Sequence, residues 1–281
     1  RPPWGLGRGL GSNGSSAAHR SSDTRGLLMS PNAREAVLLG ALNDCEEVPG
    51  FLKRPKIRVV RSQEAEGDLR DNGKFYDLPR DLDAYLFTFD DDLIYPTNYV
   101  SRMVEHIEML ERRCVVGVHA VIFPPGEFSR LKQRTVYHFA KHHKGHFVDL
   151  LGTGTAAWHG STFAVSLDDF QTKGVCDLWF AVAAARQEVP LFSVPRGRRW
   201  LVEIETTSPT LYQEARQHPT SYFDVYKRSV APALVNGQVR KRAEEEFARQ
   251  FGKEALAAAG IELLTLDPRA EDIAPMEQMT S

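Results

Sequence analysis

Short apolar blocks recur along the middle of the chain, separated by stretches with helical spacing. Ala36–Leu42 (AVLLGAL) predicts a strand, closed by the turn residues Asn43 and Asp44. Residues 57–60 predict a second, short and β-branched strand. Residues 83–89 (DAYLFTF) predict a third, apolar enough to be buried on both faces, and it runs straight into Asp90, Asp91 and Asp92. Thr97 is positioned to cap a helix whose Val100, Met103, Val104, Ile107 and Leu110 share one face, with Arg102, Glu105 and Glu108 elsewhere. Residues 114–123 (CVVGVHAVIF), 161–166 and 191–194 predict three further strands. Residues 177–187 predict a helix with an apolar face, and residues 240–259 a charged, alanine-rich helix ending at Gly260. Strands alternating with helices predict an α/β fold: one Rossmann-like domain with a mainly parallel central sheet flanked by helices.

The two ends break this pattern. Residues 1–26 are rich in Gly, Ser and Arg, and too little apolar surface is present to offset ordering entropy. Disorder is expected over residues 1–33, a loose tail over 267–281, and the folded domain over 34–266. A chain of 281 residues, 42% hydrophobic, suits one large globular domain. The formal net charge of −2 argues against nucleic acid as a partner. Cys45, Cys114 and Cys176 are odd in number and lack metal-ligand spacing, which predicts free thiols in a reducing compartment. No apolar run approaches the roughly 20 residues of a membrane span. The start of the sequence lacks the apolar segment of a secretory signal. A cytoplasmic location is expected.

The acidic triplet is the strongest chemical signal. In open α/β sheets, ligands bind beyond the carboxyl ends of strands. Three adjacent carboxylates there repel one another, and a divalent cation relieves the repulsion. Hard oxygen donors suit Mg²⁺ or Mn²⁺, whose shells are often completed by substrate phosphates. The plainer reading is an acidic surface turn. The apolar flanks, Leu-Phe-Thr-Phe before and Leu-Ile-Tyr-Pro after, argue against it.

Residues 89–96 (FDDDLIYP), followed by Tyr99 and Val100, resemble the metal-binding segment of bacterial family-two-like glycosyltransferases with the GT-A fold, of the capsule and cell-surface polysaccharide type. Leu42-Asn43, Val48-Pro49, Gly67-Asp68, residues 71–75 (DNGKF), 152–155 (GTGT) and 177–181 (DLWFA) resemble other segments of that group in the same order. The resemblance spans about residues 37–201. It implies Asp92 as the principal metal ligand, with Asp90 supporting it and Asp91 toward the ribose of a nucleotide sugar, UDP-linked. It also implies Asp177 as the general base for an inverting transfer to a glycan acceptor. Peripheral association with a membrane glycan-synthesis complex accords with that role. The strand–helix unit that opens such domains is missing or diverged here, because the segment before Val37 reads as neither.

Other positions carry paired readings. Lys74, after an Asp-Asn-Gly turn, and Asp68 are candidate nucleotide-sugar contacts; the plainer reading of Lys74 is an exposed lysine. Arg196 and Arg199, beside Trp200, suit a diphosphate, or else form a solvated basic turn. Gly154 and Thr155 permit close backbone approach to a sugar, and Trp158 and Trp179 offer indole faces; the alternative is a turn with core tryptophans. Asp177 also suits a helix N-cap, with Asp168 and Asp169 as alternative bases. His138, His142, His143 and His146 read as a polar, mobile loop rather than a zinc site. Two other functions compete. An aspartate-nucleophile phosphatase would favour D-x-D-x-T, but Ile94 stands at the threonine position. A nucleotide- or carbohydrate-binding remnant without turnover would account for the unusual start.

Overall fold

The computed structural model describes residues 24–29, 36–42, 48, 50–55, 57–61, 67–78, 82–126, 133–204 and 219–264. The expectations for residues 1–23 and for the tail 267–281 lie outside the described residues.

An eight-stranded sheet forms the centre. Its strands are β1 (Thr24–Met29), β2 (Ala36–Leu42), β3 (Ile57–Arg61), β4 (Tyr85–Asp90), β6 (Val115–Gly117), β9 (His146–Val148), β11 (Ala157–His159) and β12 (Leu191–Ser193). Their order is β3-β2-β1-β4-β11-β6-β12-β9. A two-stranded ribbon pairs β5 (Leu93–Ile94) with β13 (Val202–Glu203), and a small sheet has the order β10-β7-β8, from Leu150–Leu151, Ala120–Ile122 and Thr135–Tyr137.

The architecture is α/β, but the sheet is mixed, not mainly parallel. Among the described strands only β2 with β3 and β6 with β12 pair in parallel; β1 is antiparallel to both β2 and β4, and β11 to both β4 and β6. Connection length explains the difference. Parallel neighbours need a crossover of a dozen or more residues. This accounts for β1 and β2, which are separated by residues 30–35 alone. Six residues of the segment expected to be disordered are strand in the structure. Each of them faces β4, with Thr24 opposite Asp90 and Met29 opposite Tyr85.

The central strands are buried on both faces, as their apolar runs predict. Alternate residues of β4 point opposite ways. Leu86 joins a core with Phe75, Val115, Trp158, Phe163 and Phe180, whereas Tyr85 and Phe87 join one with Met103, Ile107, Phe192 and Phe247. Helix α1 (Tyr99–Met109) covers the second face through Tyr99, Met103 and Ile107, with Leu110 just past its end. The helix starts one residue after Asn98 without a side-chain cap, so Thr97 does not serve as one. Helix α2 (Cys176–Arg186) covers the first face and is buried along most of its length. Pro219–Val225 (α3) and Ala231–Leu234 (α4) flank a π-helical stretch, Tyr226–Val230.

Three predicted elements are redrawn. Residues 114–123 form two strands in different sheets, because the Val118 and His119 amides turn away to donate to Thr155 Oγ1, at 3.2 and 3.1 Å. Residues 161–166 are not a strand; the chain turns after β11, with the Thr162 amide bonded to the His159 carbonyl at 2.9 Å. The C-terminal helix is two, α5 (Gln238–Phe251) and α6 (Lys253–Ala258), broken at Gly252, whose φ of 82° a side chain would strain.

β1 supplies the test of this topology. Its amides are expected to exchange as slowly as those of β4, since both sit inside the sheet. Fast hydrogen exchange across Thr24–Met29 beside slow exchange in β4 would remove β1 from the sheet.

Candidate active site

At the carboxyl end of β4 the chain leaves the sheet beside the amino end of the antiparallel β1, with Thr24 opposite Asp90. Four segments meet there: the end of β4 with its acidic turn, the 3-10 segment Arg70–Phe75, the turn Thr153–Thr155, and the first turn of α2.

Lys74 binds the first to the third. Its side chain is 4% exposed, with Nζ 2.5 Å from Asp90 Oδ1 and 3.4 Å from Thr153 Oγ1. Burial alone would lower its pKa, but the charges and hydrogen bond of Asp90, with Cys176 and Asp177 nearby, raise it, so the ammonium stays charged. The plainer reading, an exposed lysine, does not hold: the side chain is buried and its ammonium engages Asp90 and Thr153.

Gly154 closes on the other oxygen of Asp90. A β-carbon at this glycine would overlap the carboxylate, so only glycine permits the approach. Tyr95 fastens the same turn: its hydroxyl accepts from the Asp90 amide at 2.8 Å and donates to the Gly154 carbonyl at 2.5 Å. Tyr99 donates to the Thr155 carbonyl at 3.0 Å. Asp92 is half-buried and its carbonyl accepts from the Ile204 amide at 2.7 Å, which ties the ribbon to the turn. Burial and then the charge of Asp90 raise the Asp92 carboxyl pKa. Asp91 is exposed at the tip.

Asp177 enters from α2. Its Oδ1 accepts from the Thr153 amide at 2.8 Å and the Thr153 hydroxyl at 2.7 Å. Burial is the main cause that raises its pKa, opposed by the Thr153 bonds and Lys74. The helix start is held by Asp71, whose two carboxylate oxygens accept from the Gly174 and Cys176 amides at 2.6 and 2.9 Å. Asp71, Tyr95, Tyr99 and Thr153 were not among the residues the sequence singled out as a site. Their signal was their place in or beside the same motifs: Asp-Asn-Gly-Lys, Leu-Ile-Tyr-Pro with the Tyr-Val that follows it, and Gly-Thr-Gly-Thr.

The remaining candidates fall elsewhere. Arg196 is 4% exposed and donates to the carbonyls of Val194, Tyr137 and His138 and to Ser193 Oγ, so it clips β12 to β8 rather than reaching a diphosphate. Burial pushes its pKa down to about 10. Arg199 is exposed, and its amide bonds the Ala140 carbonyl at 2.8 Å. Asp68 is exposed and its carboxylate accepts from the Arg70 amide at 2.8 Å. Trp158 and Trp179 are both core residues, not sugar platforms, and Thr155 is buried with its hydroxyl serving Val118 and His119. Asp169 belongs to a capping box with Ser166. The histidine-rich segment is packed: His146 is buried in β9, and His143 pairs with Arg196 in a β-bridge.

The donor set decides which metal chemistry fits. Among the described residues, no three His, Cys, Asp or Glu side chains form a metal-holding group. Asp90 and Asp92 are close enough for one charge to perturb the other, and Lys74 already engages Asp90. Such a pair suits Mg²⁺ or Mn²⁺ held by one or two carboxylates, with phosphates and water completing the shell, and does not suit an all-protein cage. No family model matches the chain, and no curated protein matches it.

Two predictions separate core from site. Trp158→Ala should lower stability by about 3–5 kcal/mol, the usual loss for a buried aromatic; a chemical-denaturation midpoint that does not move would contradict its place in the core. Asp177→Asn tests the electrostatics. A carboxyl pKa raised above 3.8 by folding means stability is lost as pH rises through the folded value. Asn still accepts both Thr153 bonds. The variant should therefore melt higher than wild type near neutrality, with the gap closing toward about pH 4. A gap that widens on acidification would reverse the assigned sign.

Proposed function

We propose that this protein transfers a sugar from a nucleotide-sugar donor, UDP-linked, to the hydroxyl of a glycan or other acceptor, with inversion, in surface-polysaccharide synthesis. One observation carries the reading. The Asp90 carboxylate at the end of β4, with Asp92 near enough to feel its charge, and the Asp177 carboxylate on α2 are joined at the turn Thr153–Thr155 through Lys74 and Thr153. The GT-A form of the α/β fold, a cytoplasmic location and peripheral attachment to a membrane complex belong to the same proposal. No helix among the described residues is long and apolar enough to cross a membrane.

Mg²⁺ or Mn²⁺, held by Asp92 with Asp90 beside it, would supply Lewis-acid stabilisation of the departing nucleoside diphosphate. The chain's own groups do the rest. Asp177 accepts the proton of the acceptor hydroxyl as that oxygen bonds the anomeric carbon. The bond from that carbon to the diphosphate oxygen breaks, and its electron pair leaves with the nucleoside diphosphate. A carboxyl pKa raised by burial is better matched to this task than an ordinary aspartate. Lys74 holds the Asp90 carboxylate through its ammonium, and Gly154 lets the turn close on that carboxylate. Asp91, exposed at the tip, faces the ribose.

A second reading, a binding module without turnover, is favoured by one observation: the Lys74 ammonium already engages Asp90 where a metal would bear.

Calorimetry with UDP and Mn²⁺, followed by donor-hydrolysis and transfer assays, separates these. Asp92→Asn is expected to weaken Mn²⁺-dependent UDP binding by about tenfold or more. Asp177→Asn should leave that affinity nearly intact and cut transfer by roughly 100-fold or more. Unchanged affinity in Asp92→Asn sinks the metal assignment. Binding without turnover by the wild type selects the second reading, and phosphate release from simple phosphomonoesters would redirect the assignment to a phosphatase.

A further inference from the structure

The oxygen that links the two halves of the candidate site is Thr153 Oγ1. Thr153 is 1% exposed, at the start of the turn between β10 and β11. Its Oγ1 lies 2.7 Å from Asp177 Oδ1, 2.9 Å from Cys176 Sγ and 3.4 Å from Lys74 Nζ. The direction of each bond follows from the donors. Lys74 has only protons to give, and the buried Cys176 thiol, its pKa well above the usual value, keeps its own. A hydroxyl has one proton and two lone pairs. Thr153 therefore accepts from the ammonium and gives its proton to the carboxylate, while the one proton of the Cys176 thiol has two acceptors in reach, Thr153 Oγ1 and Asp177 Oδ1, the latter at 3.7 Å.

Building on the sugar-transfer reading, we propose that Thr153 is a positioning residue. Its hydroxyl and amide hold Asp177 by Oδ1, so that Oδ2 remains the oxygen that meets the acceptor hydroxyl. No bond to Oδ2 is made among the described residues, whereas Oδ1 takes both Thr153 donors. The amide alone does not fix the carboxylate, because one bond leaves it free to turn about its own axis. Two donors from one residue remove that freedom. The hydroxyl also opposes the upward push of burial on the Asp177 carboxyl pKa, beside the Thr153 amide and Lys74. The Lys74 ammonium polarises the same hydroxyl, so the charge at Asp90 and the orientation at Asp177 are coupled through one oxygen.

The test is a double-mutant cycle on the full chain. Thr153→Val keeps shape, branching and backbone amide and removes only the hydroxyl. It is expected to lower kcat for transfer by about 10- to 100-fold, the scale for a misaligned catalytic group, with KM for the donor and calorimetric UDP–Mn²⁺ affinity within about twofold. Thr153→Ser, which restores the hydroxyl, should recover most of kcat. In an Asp177→Asn background, Thr153→Val should add little, because both changes remove the same function. Where the valine variant does not fold, Thr153→Ala replaces it, with kcat compared among variants of equal melting temperature.

Full kcat in Thr153→Val, failure of serine to rescue, or a full additional loss in the Asp177→Asn background overturns the assignment. So does a loss that appears in KM and melting temperature instead of kcat. The outcomes distinguish the two levels. An active wild type with an indifferent Thr153 sinks this proposal alone. A wild type that transfers from no donor sinks the sugar-transfer reading and the role of Thr153 with it.

Discussion

A lysine ammonium buried 2.5 Å from Asp90 is the interaction on which the rest of the site depends. An ion pair withdrawn from water is strong only when its geometry is good and its remaining donors are satisfied. Here one partner is almost sealed and the other opens to solvent, at 4% and 35% exposure. The charge of Lys74 thus has one outlet, toward the acidic turn. Everything that holds the turn in place works around that fixed charge: Gly154 against one carboxylate oxygen, Tyr95 on the backbone, and Thr153 on the way to α2. Removing the ammonium would leave a half-buried carboxylate beside Asp92 with no compensating charge, which the raised pKa of Asp92 shows is already an unfavourable neighbourhood for a second anion.

Positions whose role follows from local pattern were legible in the sequence. The apolar run before the triplet gave β4 its place in the middle of the sheet, and the i, i+4 spacing of Met103 and Ile107 gave α1 its buried face. The helix bearing Asp177 was legible for the same reason. What the sequence could not carry was the direction of strands and the fate of polar side chains. An apolar heptapeptide such as Ala36–Leu42 reads alike beside a parallel or an antiparallel neighbour. Lys74 and Arg196 look like surface cations until long-range partners surround them. Their burial depends on Asp90 and Thr153 in one case, and on the carbonyls of Tyr137 and His138 in the other. Trp158 and Trp179 carry the opposite lesson. An indole beside a glycine-rich turn suggests a sugar platform, yet both rings were claimed by the core under α2.

The division of residues 114–123 shows how site and fold share atoms. Thr155 stops the strand after Gly117 by taking the next two amides, and the chain then crosses to the small sheet. The turn that carries Gly154 to Asp90 is thereby anchored to the framework on its far side. Tyr99, reaching from α1 to the Thr155 carbonyl, adds a third anchor. A turn of three residues held from β4, β6 and α1 is rigid enough to serve as the floor of a binding site.

The pairing of β4 has a kinetic consequence. Both of its neighbours, β1 and β11, come from distant parts of the sequence, with Thr24 opposite Asp90 and Ala157 opposite Phe87. Contacts of such long range are made late, after loop-closure entropy has been overcome. The acidic turn, the lysine and the helix bearing Asp177 therefore come together only as the central sheet closes. The constellation draws on separate segments between Asp71 and Asp177, so it exists only where they are folded together. A ligand that recognises it recognises the folded state alone, and its binding free energy adds to global stability by mass action.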